Sequence, residues 1–118
     1  MTRPNIIYIV SDDLGYADLG CYAAHDGPPV SPVLDGLAAR GLRFTNGYSN
    51  SPVCAPTRVA LITGRWQYRL RGAAEEPISS RSSGSTTLGL PPEVPTLPSL
   101  LRAAGYHTAL IGKWHLGY

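Results

Sequence analysis

Cys54, Arg58, Asp12, Asp13, Lys113 and His115 are the residues of this 118-residue chain whose types and spacing could do chemistry. Cys54-Ala55-Pro56-Thr57-Arg58 lies in the stretch 51–64, SPVCAPTRVALITG, and an apolar run follows it. Pro56 suits the first turn of a helix, where its missing N–H would lack an intrahelical partner anyway and its φ is already helical. Gly64 is a natural stop. Cys54 is therefore expected at a helix N-terminus, where free N–H groups and the positive dipole end favour an anion or a thiolate. Arg58, four residues on, returns to the same face one turn later. A potential nucleophile and a guanidinium would then converge on one tetrahedral oxyanion. Alone, the pattern also suits a buried structural cysteine ahead of a core helix.

Asp12 and Asp13 follow residues 5–10, NIIYIV, a continuous apolar run with the β-branched content of a central parallel strand. Open α/β sheets place their ligands at the C-terminal ends of such strands. Adjacent carboxylates repel, and a hard divalent cation with oxygen ligands would compensate them. A plain turn leaving the strand is the alternative. Lys113 and His115 follow residues 106–111, YHTALI, which read as another strand. Two positions apart on an extended strand end, they would share a face. There lysine could neutralise developing charge and histidine could transfer a proton at neutral pH, although ordinary surface polar residues would give the same pattern.

The elements that must position these groups alternate. Ser31-Pro32 reads as an N-cap with proline at the first helical position, and Val33, Leu34, Leu37 and Ala38 have helical spacing up to Gly41. Residues 42–46 alternate as a second strand should and lead into the Cys54 helix. Residues 97–104 read as a helix stopped by Gly105. Strand, helix, strand, helix is the start of an α/β sheet. Residues 65–95 read as a surface excursion rich in Gly, Ser and Pro; Arg69, Arg71 and Arg81 within it could meet an anion but suit a solvated loop better. His25 and Asp26, beside Gly27-Pro28-Pro29, are conceivable metal ligands but better read as a solvated turn.

Composition narrows the classes. Hydrophobic residues at 43% and charged residues at 15% describe a globular chain poor in charge. A formal net charge of +2, without an arginine-rich stripe, argues against nucleic acid. Two cysteines do not make a disulfide framework. No run reaches the roughly 20 apolar residues of a membrane span. The N-terminal apolar run is too short for a signal-peptide core, so the chain as written is expected in the cytoplasm, or in the periplasm or outside the cell if its start lies upstream.

Taken together, IIYIVSDDLGY, CAPTR running on to Thr63-Gly64-Arg65, and GKWHLG resemble the sulfatase family over nearly the whole chain. The resemblance implies an alkaline-phosphatase-like α/β sandwich with a mostly parallel central sheet, of which residues 1–118 would be the N-terminal portion. It implies that Cys54 is matured to formylglycine by a formylglycine-generating enzyme, and that its hydrate attacks the sulfur of a sulfate ester. It also implies that Asp12, Asp13 and the modified Cys54 bind a divalent cation, calcium or alternatively magnesium. Arg58 would hold the hydrated residue, Lys113 would bind sulfate oxygens, and His115 would accept a proton from the hydrate's second hydroxyl. The substrate would be a small-molecule or carbohydrate sulfate ester; a phosphate or phosphonate ester hydrolase of the same superfamily, or a non-catalytic truncated product, are the alternatives. The family's chains are several times longer and carry later metal ligands and a later His and Lys with no counterpart here. The 118 residues alone are thus expected to have little activity, which an aryl sulfate assay of the purified, matured chain with calcium checks: turnover would overturn the fragment reading.

Overall fold

The computed structural model describes residues 3–23, 26, 28–70, 84–85 and 88–117. Among the described residues three α-helices are formed: α1 (Pro32–Arg40), α2 (Cys54–Thr63) and α3 (Leu97–Ala103). Single 3₁₀ turns occupy Tyr16–Asp18 and Gln67–Arg69. The chain divides into two compact units, residues 1–47 and 48–118.

In the first unit α1 begins where the sequence places it, with Ser31 at the N-cap and Pro32 at the first helical position. The Ser31 hydroxyl does not cap the helix, however. Its Oγ accepts from the Gly20 amide (2.8 Å) and donates to Asp35 Oδ1 (2.8 Å), which also accepts from the Cys21 amide (2.8 Å). Serine and aspartate thus tie the 20–21 backbone to the first turn of α1. Arg43 adds a bond to the Cys21 carbonyl and lies over the Tyr22 ring.

The second unit holds the core. Val59, Leu70 and Leu116 form a buried cluster, with Ile62, Leu90 and Val94 packed against it. Ala55 and Val59, both fully buried, are four apart and so share one face of α2. The helix ends at Gly64, whose φ of 66° is left-handed, with its N–H bonded to the Ala60 carbonyl (2.8 Å). α3 starts with a reciprocal capping box, Thr96 with Ser99. It stops in a Schellman arrangement: Gly105 has φ 85°, its N–H bonds the Arg102 carbonyl and the Tyr106 N–H bonds the Leu101 carbonyl.

The expected strands are absent among the described residues. Residues 5–10, 42–44 and 106–111 are irregular, and residues 45–46 form a turn. A strand is a property of a pair, and none of these segments has a ladder partner here. Their apolar side chains stay open to solvent: Ile7 is 84% and Ile111 98% exposed. Apolar content was legible; the pairing that converts it into a sheet is not formed among the described residues. The expected excursion at 65–95 lies partly outside the described residues, as do His25, Arg71 and Arg81; Asp26 is exposed.

Two glycines hold the end of the chain to the core. The Leu90 N–H bonds the Leu116 carbonyl (2.7 Å), and a Cβ on Gly89 would meet the Leu116 carbonyl and lie 2.7 Å from Gly117 Cα. Gly89 has φ 112°. Nothing lies within 4 Å of a Cβ on Gly64, so Gly64→Ala has only the conformational cost, about 1 kcal/mol. Gly89→Ala adds a backbone clash and is expected to lose roughly 2–3 kcal/mol. Urea unfolding of the two variants checks the order.

Candidate active site

Cys54 is the first residue of α2 and is half-buried. No side chain caps this helix; its N-cap is Val53, in extended conformation. The N–H groups of the first turn therefore keep the capacity to face an anion. The preceding loop is instead stitched to the helix from outside. Thr57 Oγ1 donates to the Ser51 carbonyl (2.7 Å), and the Val53 amide donates to Ser51 Oγ (3.1 Å).

Arg58, also half-buried, sits one turn past Cys54. Its Nη1 donates to the Lys113 carbonyl at 3.0 Å, across 55 residues of sequence. One residue on, Val59 packs in the same cluster as Leu116. The CAPTR helix and the GKWHLG segment are thus joined twice, by a charge-assisted hydrogen bond and by a shared core. Arg58 Nε and His115 Nδ1 are both enclosed by protein. Lys113 is exposed and His115 half-buried.

The expected strand end carrying Lys113 and His115 is a tight irregular loop. Gly112 has φ 106°, His115 φ 52° and Gly117 φ 122°. The rule that residues two apart share a face holds for extended backbone, and a left-handed residue at 115 breaks it. The two side chains are placed by loop geometry and by the anchor at Leu116, not by strand alternation.

Asp12 and Asp13 lie in the first unit, exposed, in a bend after the apolar run. Asp13 has φ 58°. Among the described residues, Asp13 and His115 are the non-glycine residues with positive φ, and both are candidate site residues. Aspartate and histidine tolerate this region better than most residues, yet such conformations cluster where function over-determines the backbone. The two carboxylates offer hard oxygen donors of the kind calcium or magnesium takes. They fit such a cation in kind but not in number: among the described residues no group of three or more His, Cys, Asp and Glu forms a metal site. A cavity of about 540 Å³ lies elsewhere, in the first unit, with Cys21, Asp35 and Arg43 on its wall and none of the six candidate residues lining it.

Two residues passed over by the sequence reading belong beside the site. Gln67 is 2% exposed, and its Oε1 accepts from Asn50 Nδ2 at 2.5 Å. Asn50 Nδ2 also donates to the Pro56 carbonyl at 3.3 Å. A lone glutamine between Trp66 and Tyr68 carries no periodic signal, and Asn50 in a Ser-rich loop reads as a turn residue.

An uncapped helix N-terminus bearing a cysteine, with an arginine tied to a Lys-x-His loop, gathers positive charge and N–H donors in one place. The chain belongs to the sulfatase family, whose model matches residues 4–118. It is 49% identical over 116 residues to arylsulfatase A of Homo sapiens, covering 97% of this chain and 21% of that protein. It is 43% identical over 114 residues to steryl-sulfatase of Mus musculus, covering 97% and 18%. Against N-acetylgalactosamine-6-O-sulfatase of Bacteroides thetaiotaomicron the identity is 40% over 115 residues, covering 98% and 21%. The chain spans about a fifth of the length of the curated relatives it matches. No solved structure matches it significantly.

If the left-handed backbone at Asp13 serves function and not stability, removing the side chain should not weaken the fold. Asp13→Gly is expected to be neutral or stabilising by up to about 1 kcal/mol. Thermal unfolding checks this; a loss of that size would assign the carboxylate a structural role instead.

Proposed function

We propose that this chain is part of a sulfuric ester hydrolase in which Cys54, matured to formylglycine, faces the substrate sulfur. The observation that carries this reading is the joining of the two motifs: Arg58 bonded to the Lys113 backbone, and Val59 sharing a core with Leu116. A sulfate ester presents oxygens that repel a nucleophile, so its site needs positive charge in fixed positions. The α2 N-terminus, Arg58 and Lys113 would supply it.

Hydrated formylglycine at position 54 would supply the oxygen nucleophile. Asp12 and Asp13 would hold a divalent cation, calcium or alternatively magnesium, which would neutralise further charge. Arg58, one turn from residue 54, would orient it and offset its negative charge. Lys113, exposed at the loop, would bind sulfate oxygens. His115 would take a proton from residue 54 through Nε2, since Nδ1 is enclosed. The exposed apolar runs at 5–10 and 106–111 would be covered by residues outside this chain, building the parallel sheet of an alkaline-phosphatase-like fold and adding cation ligands. A formylglycine-generating enzyme would be a required partner.

The same charge arrangement suits a phosphate monoester, which is the second reading. It is separated by rate: the native full-length protein, with residue 54 matured, is expected to hydrolyse 4-nitrophenyl sulfate faster than 4-nitrophenyl phosphate. Cys54→Ala should lower sulfate ester hydrolysis by about three orders of magnitude or more, because a nucleophile and its partners act as a unit. A preference for the phosphate ester would move the assignment to the second reading. Activity that survives Cys54→Ala would overturn both.

A further inference from the structure

We infer that Asn50 and Gln67 form a positioning clamp for the first turn of α2, an inference that rests on the sulfatase reading above. Gln67 is a nearly fully buried polar side chain, and burying an amide is unfavourable unless its hydrogen bonds are made. Its Oε1 receives one hydrogen of the Asn50 amide, and the other hydrogen of that amide goes to the Pro56 carbonyl. Gln67 is itself held by the core: the Leu70 N–H bonds the Gln67 carbonyl (3.0 Å), and Leu70 is buried against Val59.

A connected path therefore runs from the core through Gln67 and Asn50 to Pro56. Pro56 stands midway between Cys54 and Arg58, two residues from each. Proline also has no N–H with which to anchor the turn, so its carbonyl is the backbone polar group available for a clamp at that residue. Fixing that carbonyl fixes the rotation of the turn, and with it the direction of both flanking side chains. Neither Asn50 nor Gln67 needs to touch substrate. Their effect is on geometry, and misplacing a reacting group by about 1 Å can cost roughly a hundredfold in rate.

The test compares Gln67→Leu, which keeps apolar burial and removes the acceptor, with Gln67→Glu, which returns an oxygen at Oε1. Both are made in the native full-length protein, and peptide mass spectrometry first establishes equal formylglycine at position 54. With 4-nitrophenyl sulfate, Gln67→Leu is expected to lower kcat by roughly ten- to a hundredfold with KM within about twofold, and Gln67→Glu to recover most of that loss. An unchanged kcat, or a fall that Gln67→Glu does not relieve, overturns the clamp. Asn50→Ala, at a half-buried position, gives the same comparison if Gln67→Leu does not fold. If the unsubstituted protein hydrolyses no sulfate ester, the sulfatase reading fails and amide hydrogen exchange decides the clamp alone. Faster exchange at Thr57 and Arg58 in Gln67→Leu, with α3 unchanged, then supports it; unchanged exchange overturns it.

Discussion

Val59 and Leu116 are far apart in the chain and share one small core, and the arrangement of the second unit depends on that contact. Burying an aliphatic side chain of this size contributes about 1.5–3 kcal/mol relative to leaving it exposed. The Arg58 bond to the Lys113 carbonyl lies at an exposed position and contributes less. Packing therefore supplies most of the attraction, and the hydrogen bond supplies direction. Each is one residue from a group with chemistry: Val59 follows Arg58, and Leu116 follows His115. The core is built through the motifs themselves, so the groups that would act on a substrate inherit its rigidity.

The close approach of Gly89 to Leu116 and Gly117 extends the same logic. A side chain at 89 would push the GKWHLG loop off the cluster, and Leu116 would lose its seat. Glycine at 112 and 117 lets the loop turn at both ends, while His115 takes a left-handed conformation in the middle. Such a loop can aim a histidine where an extended strand end could not. Backbone irregularity here is part of how the site is shaped.

What was legible in the sequence follows from how local each determinant is. Gly64 and Gly105 end helices because each takes a positive φ that other residues resist, and Pro32 and Thr96 start them for equally local reasons. All of these could be read from a few neighbouring residues. Strands could not, because a strand needs a partner elsewhere, and residues 5–10 find none among the described residues. Cys54 at a helix N-terminus was legible from Pro56 and Gly64. The geometry of Lys113 and His115 was not, because the two-residue alternation assumed an extended backbone that Gly112 and His115 do not adopt. Gln67 was invisible for another reason: its burial is set by the fold of residues around it.

The exposed apolar runs carry a last consequence. Ile7 and Ile111 in water are unfavourable, and open backbone beside them can pair with any extended chain that arrives. The second unit nevertheless has a core of its own, among Val59, Leu70 and Leu116. Arg58 and the GKWHLG loop are tied together through that core and through the bond to the Lys113 carbonyl. Asp12 and Asp13 follow an apolar run that is exposed. On the sulfatase reading proposed above, cation binding at those carboxylates would depend on covering residues 5–10, whereas the Arg58 bond to the Lys113 backbone is already formed.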